Sequence, residues 1–228
     1  SYVPGGAFAS PLTALDDLVQ VMEEVLTPAE RAAVRRLNLE GNSVRRLPAA
    51  VFSCFEKLTH LTLDSNPIQE YDKKCFMGLR DLRLLSLVGA SDGALFDDAI
   101  VADLTHLKSL YMRQCGLAWC PDFSTLLELE TLDVSQNNLT EMPDLSALKN
   151  LRTFNAMDNK LTSIVMSHLP CGADGKLVLG KLQLNNNAID TIPSAFYSLL
   201  PDAGTVSVLL HNNPAWATAG SAGVAGLS

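Results

Sequence analysis

The side chains of this chain that are suited to chemistry are thinly spread. Cys115 and Cys120 stand five residues apart, His60, His106, His168 and His211 lie far from one another, and carboxylate pairs occur at Asp16-Asp17 and Asp97-Asp98. A zinc site needs several thiolate or imidazole ligands at short spacing, and Cys115 and Cys120 have no histidine or second cysteine pair beside them in sequence. Adjacent carboxylates without a neighbouring base or metal ligand face solvent instead of sharing a proton. The sequence holds no Gly-x-Gly-x-x-Gly, no Walker-type phosphate loop and no Gly-x-Ser-x-Gly elbow. No catalytic, cofactor-binding or metal-ligating residue is assigned, and the expectation is a non-enzymatic chain with no cofactor. Recognition chemistry is what remains, and its location depends on the elements that hold the side chains.

Those elements follow from a nine-residue pattern: apolar, two variable, apolar, one variable, apolar, two variable, Asn. It reads Val34, Leu37, Leu39, Asn42, then Leu58, Leu61, Leu63, Asn66. Leu82, Leu85 and Leu87 follow with Ala90 in the Asn place, then Leu107, Leu110 and Met112 with Cys115 there. Copies five to seven end on Asn137, Asn159 and Asn187, and a degraded eighth, opening on Thr205, ends on Asn213. The steps between these end positions (42, 66, 90, 115, 137, 159, 187, 213) are 24, 24, 25, 22, 22, 28 and 26 residues.

Eight registered copies over roughly residues 34–216 resemble the leucine-rich repeat family. The resemblance implies an α/β solenoid: a right-handed horseshoe with a parallel β-sheet on its concave face. Each unit cannot bury its own apolar face and does so by stacking on its neighbours. Within a strand the fourth and sixth pattern positions point inward and the third, fifth and seventh face solvent. The Asn is expected to pair buried backbone groups of adjacent turns, since its amide both donates and accepts. Ala90 cannot do this and Cys115 does so weakly, so repeats three and four are expected to be looser or reshaped. Val44, Ile68, Leu117, Leu139, Leu161 and Ile189 supply a further core position two residues after the Asn place. Phe52, Phe76 and Phe196 match the family's convex apolar spine.

The register places Leu84, Ser86 and Val88 on the concave face of repeat three and Ser109, Tyr111 and Arg113 on that of repeat four. Repeats five to seven contribute Thr131, Asp133 and Ser135, then Thr153, Asn155 and Met157, then Lys181, Gln183 and Asn185. Leu84, Val88, Tyr111, Arg113, Asp133 and Met157 are the candidate partner-binding residues, because Tyr and Arg anchor interfaces and Met adapts to irregular surfaces. Two loops with turn chemistry, Gly89–Gly93 and Pro170–Gly175, are further candidates.

Residues 1–33 are expected to form an N-terminal helical cap, 34–216 the solenoid and 217–228 an Ala/Gly/Ser-rich tail or linker. Ser10-Pro11 opens an amphipathic stretch, and Thr27-Pro28-Ala29-Glu30 reads as a capping box. With a net charge of −8, nucleic acid is not the expected partner. No apolar run reaches the ~20 residues of a membrane span. The five cysteines are odd in number and dispersed, which favours a reducing, cytoplasmic setting, while the sequon Asn138-Leu139-Thr140 points to an extracellular one. The family resemblance implies a module that binds a protein or peptide on its concave face. The alternatives are a regulatory or substrate-recruiting segment of a larger enzyme with further domains, and the extracellular recognition domain of a receptor or microbial surface protein.

Overall fold

The computed structural model describes residues 2–3, 26–90, 96–201 and 205–215. The amphipathic stretch from Ser10, the Asp16-Asp17 pair, the Ser91–Gly93 part of one loop, Trp216 and the tail lie outside the described residues.

The nonapeptide pattern becomes a parallel sheet. Its strands are β1 (Tyr2–Val3), β2 (Arg36–Asn38), β4 (His60–Thr62), β6 (Leu84–Ser86), β7 (Ser109–Tyr111), β8 (Thr131–Asp133), β9 (Thr153–Asn155), β10 (Lys181–Gln183) and β11 (Ser207–Leu209), paired in that order. Eight of these carry the eight copies of the repeat, and each aligns its third to fifth positions with its neighbours, as in Leu84↔Ser109↔Thr131. The extra strand, β1, pairs with β2 and extends the sheet at its N-terminal edge, which the repeat pattern did not foretell. A second sheet on the other side of the turn joins β3 (Arg46–Leu47) to β5 (Glu70–Tyr71). Two residues per strand are too short to show a sequence period.

The core runs the length of the solenoid. The inward leucines are buried, as are Val44, Ile68, Leu117, Leu139, Leu161 and Ile189. The convex spine is present: Phe52, Phe76 and Phe196 are fully buried, and the rings of Phe52 and Phe76 stack at 6.1 Å. The expected capping box forms. Thr27 accepts from the Glu30 amide at 3.3 Å, Glu30 accepts from the Thr27 amide at 2.8 Å, and the short helix Pro28–Ala32 follows.

The asparagines knit the turns together. The Asn66 amide donates to the carbonyls of Leu39 in the preceding repeat and Leu63 in its own, both at 2.8 Å, and accepts from the Val44 amide at 3.1 Å. Asn137, Asn159, Asn187 and Asn213 repeat the arrangement. Cys115 fills its place better than expected: its thiol donates to the Leu87 carbonyl at 2.9 Å, replacing the backward half of the Asn bridge. Burial pushes that thiol up to about 12, which keeps the proton the hydrogen bond needs. At Ala90 the carbonyl instead receives the hydroxyl of Tyr71 at 3.1 Å.

The residue before the Asn place is left-handed in every copy: Gly41, Ser65, Gly89, Gln114, Gln136, Asp158, Asn186 and Asn212 all have φ between 55° and 69°. This conformation turns the chain out of each strand, and only some of these residue types favour it.

Candidate functional site

The concave sheet presents three rows of side chains, one for each outward position. The register brings Tyr111 on β7 beside Asp133 on β8, with Asn155 of β9 beyond. Asp133 is held in place: its Oδ1 accepts from the Ser135 hydroxyl at 2.6 Å and amide at 2.9 Å, and its Oδ2 accepts from the Asn155 amide group at 3.1 Å. Asn155 in turn accepts from the Met157 backbone at 3.1 Å. Arg113 is exposed and donates from Nε to Gln136 at 3.0 Å. That contact belongs to a polar chain along the rim, in which Gln136 donates to Asp158 at 3.5 Å, Asn186 donates to Asp158, and Asn212 donates to Asn186 at 2.7 Å. The left-handed residues therefore carry a side-chain ladder outside the buried asparagines.

Of the six candidate residues, Val88, Tyr111, Arg113 and Asp133 lie together on neighbouring turns. Leu84 sits at the opposite end of its strand from Val88, about 13 Å away for four extended residues. Met157 lies two repeats from Arg113, with Ser135 between. All except Arg113 are half-buried.

Three expected outward residues are corrected. Ser86, Ser135 and Asn185 are buried. Ser86 donates to Asp64 at 2.6 Å, and Asp64 also accepts from the Val88 amide at 2.9 Å, so a carboxylate from the preceding repeat covers the serine. Ser135 and Asn185 occupy the seventh position, after the strand has ended, where strict alternation no longer holds. The Oδ1 of Asn185 is buried without a hydrogen-bond partner among the described residues.

The scattered ionisable groups serve the scaffold. Asp97 caps the 3-10 helix Asp98–Val101, accepting from Ala99 at 3.0 Å, and pairs with Lys73 at 2.8 Å. His106 pairs with Glu128 at 2.7 Å, and His168 contacts the Met142 carbonyl at 3.0 Å. Among the described residues no group of three or more His, Cys, Asp or Glu is placed to hold a metal ion, and no helix is long and apolar enough to cross a membrane. The loop Pro170–Gly175 is tied down: Cys171 and Leu177 form an antiparallel bridge, and Lys176 donates to the carbonyls of Ser198 at 2.7 Å and Leu200 at 3.2 Å. Sequence reasoning missed a cleft of about 510 Å³ away from the concave sheet, lined by Trp119 to Phe123 and Thr140 to Asp144. Trp119 is 44% exposed there, and its type in a turn was the available signal.

Comparison with known proteins agrees with this geometry. Two leucine-rich repeat family models match residues 32–90 and 128–148. Similar solved structures include a leucine-rich repeat protein of Leptospira interrogans, at 21% identity and a TM-score of 0.67, covering 90% of this chain and 53% of that one. The chain thus spans about half the length of the Leptospira protein. Internalin C2 of Listeria monocytogenes matches at 20% identity and a TM-score of 0.67, covering 89% of this chain and 82% of its own. TLR13, solved in complex with ssRNA13, matches at 22% identity and a TM-score of 0.69, covering 85% of this chain and 26% of its own. Matching family models, solved relatives of the same architecture, and an asparagine-bridged parallel solenoid together place the chain among the leucine-rich repeat proteins.

Proposed function

We propose that this chain is a non-enzymatic interaction module that binds a protein or peptide on its concave sheet, with Val88, Tyr111, Arg113 and Asp133 at the centre and Leu84 and Met157 flanking. The observation that carries this reading is the pre-ordering of the polar anchors: Asp133 is clamped by Ser135 and Asn155, and Arg113 by Gln136. Side chains already fixed in the free protein lose little entropy on binding. Residues 34–216 form the binding solenoid in this reading, 1–33 its N-terminal cap, which includes the strand β1 as well as the helix Pro28–Ala32, and 217–228 a tail or linker. A net charge of −8 argues for a protein partner over nucleic acid.

The test is affinity capture from a lysate of the source organism, comparing wild type with a folded Tyr111→Ala, Arg113→Ala variant. Loss of a specific protein from the variant alone is the expected result. A partner retained equally by both would move the site off the concave centre.

The odd number and dispersed placement of the five cysteines favour a reducing, cytoplasmic setting. One observation favours an extracellular recognition domain instead: Asn138, the acceptor of the sequon, is exposed. A mass shift of the natural protein on enzymatic deglycosylation would decide for the second.

A further inference from the structure

The entry edge of the concave sheet changes character along the solenoid. The residues just ahead of each strand stack through backbone hydrogen bonds: Thr59 donates to Arg35 at 2.8 Å, Arg83 to Thr59 at 2.8 Å, Lys108 to Arg83 at 2.9 Å and Glu130 to Lys108 at 2.8 Å. In repeats four and five this edge is neutralised, with Lys108 paired to Glu130 at 2.6 Å and His106 to Glu128 at 2.7 Å. In repeats one to three it is not. Arg35, Arg36 and Arg83 are exposed and form no salt bridge among the described residues, although the charge of Arg83, after the hydrogen bond from His106, helps to hold the Glu128 carboxyl low.

His60 lies among these cations. Arg36 is its register partner on β2, and the hydroxyl of Thr59, which donates to the Arg35 carbonyl, lies 2.9 Å from the His60 Nδ1. Burial first, then the charges of Arg36 and Arg83, hold the imidazole below its usual protonation range. Like charges on neighbouring strands repel one another, and an added carboxylate relieves that repulsion.

We propose that the cationic edge formed by Arg35, Arg36, His60 and Arg83 is the docking site for an acidic peptide segment of the partner, whose carboxylates pair with its guanidinium groups. This deepens the concave-face reading and rests on it. The patch spans about two strand spacings, roughly 10 Å, which matches two carboxylates two or three residues apart in an extended peptide. Arg36 and Arg83 present guanidinium groups suited to bidentate carboxylate pairing. The surroundings favour a short acidic segment over RNA. Glu40 and Asp64 lie at the far ends of the same strands and Glu128 and Glu130 on the next turns, so a polyanion running past the patch meets carboxylates.

The experiment uses the full chain and four fluorescein-labelled probes: dodecapeptides alternating Ala with Glu, Gln or Lys, and a twelve-nucleotide oligouridylate. Anisotropy titration should show the Glu peptide binding at least about tenfold more tightly than the Gln peptide. An Arg36→Glu, Arg83→Glu variant with an unchanged far-UV spectrum should lose about tenfold for the Glu peptide and gain affinity for the Lys peptide. The milder Arg36→Gln, Arg83→Gln variant should lose less without the inversion. Saturating Glu peptide should raise the NMR titration midpoint of His60. Equal affinity for Glu and Gln peptides, equal binding by wild type and the charge-reversed variant, an unmoved His60 midpoint, or tighter binding of oligouridylate would each overturn the proposal. In the capture experiment, a partner lost by Tyr111→Ala, Arg113→Ala but kept by the charge-reversed variant overturns this site and leaves the concave-face reading standing. A partner kept by both variants overturns the two together.

Discussion

Asn137 in the fifth repeat and Cys115 in the fourth occupy the same station, and they satisfy different shares of it. Asn137 donates backward to the Met112 carbonyl at 2.8 Å and accepts the amides of Cys115 at 2.9 Å and Leu117 at 3.0 Å. Cys115 keeps the backward donation, to Leu87 at 2.9 Å, and its thiol cannot stand in for the two-amide acceptor. Ala90 keeps neither. The difference separates the two duties of the conserved-looking Asn. Donation closes the junction with the turn before, and acceptance shapes the segment that leaves it. The sequence after Ala90 also departs from the pattern, with Asp92 at the usual apolar position.

The largest effect should come from removing both duties where both are in use. Asn137→Ala strands the Cys115 and Leu117 amides and the Met112 carbonyl in the interior, and should cost about 3 kcal/mol, the upper end for an unsatisfied buried group. The check is the urea midpoint at constant slope. A midpoint shift no larger than that of an exposed substitution would mean that water replaces the side chain.

Cys115→Ala removes one donor and a sulfur's volume, and should cost about 1 kcal/mol. The contrast between the two variants is the sharper quantity, since equal losses would erase the distinction between the stations. The thiol also offers a kinetic check. With its protonation pushed up to about 12 by burial, native Cys115 should resist iodoacetamide at pH 8 while unfolded protein reacts fully. Prompt alkylation of native Cys115 would show that the turn opens.

The inward leucines, the asparagine station and the convex phenylalanines were legible because each repeats at a fixed offset and each is forced by burial. The side chains of the concave face were legible only as far as the strand reaches. Leu84 and Tyr111 face outward as alternation requires, whereas Ser135 and Asn185 lie beyond the three-residue strand and turn inward. Ser86 lies within its strand and is buried because Asp64 folds over it, a contact between residues 22 apart that no local pattern encodes. The left-handed station was half visible. Gly41, Gly89, Asn186 and Asn212 advertise it, while Ser65, Gln114 and Gln136 are placed there by the solenoid against their own preference. The cationic edge was in the sequence as Arg35, Arg36 and Arg83, but which charges come near it depends on which turns stack.

That left-handed station gives a smaller prediction. Ser65 is exposed at φ 56°, and its turn bond to the Val88 carbonyl, 2.8 Å, is made by the backbone. Ser65→Gly should stabilise by about 0.5 kcal/mol, the relief of the left-handed penalty less the entropy of an added glycine. Gln136→Gly at the equivalent site should gain nothing, because it also severs the contacts to Arg113 and Asp158. Equal gains at both sites, read from thermal midpoints, would show that the rim ladder contributes no stability.

The smallest effect separates the cationic edge from the neutralised one through pH. In the unfolded chain His60 titrates near its ordinary 6.5, and in the fold it is held lower. Between those two values the unfolded state binds more protons, so stability rises with pH across the window. The contribution is fully present above 6.5 and is lost as pH falls through the lowered native value. Arg36→Gln removes one of the two charges that depress the imidazole and should narrow that window, though burial, the larger cause, keeps part of the depression. The urea midpoint of Arg36→Gln relative to wild type should therefore improve as pH is lowered from about 7.5 to 5, by little, since His60 is partly solvated and its neighbours are screened. For Lys108→Gln, whose ammonium pairs with Glu130 at 2.6 Å instead of facing an imidazole held low, the difference from wild type should stay nearly constant over the same range. A pH-independent difference for Arg36→Gln would show that its guanidinium does not reach His60, and that repeats one to three are as well compensated at this edge as repeats four and five.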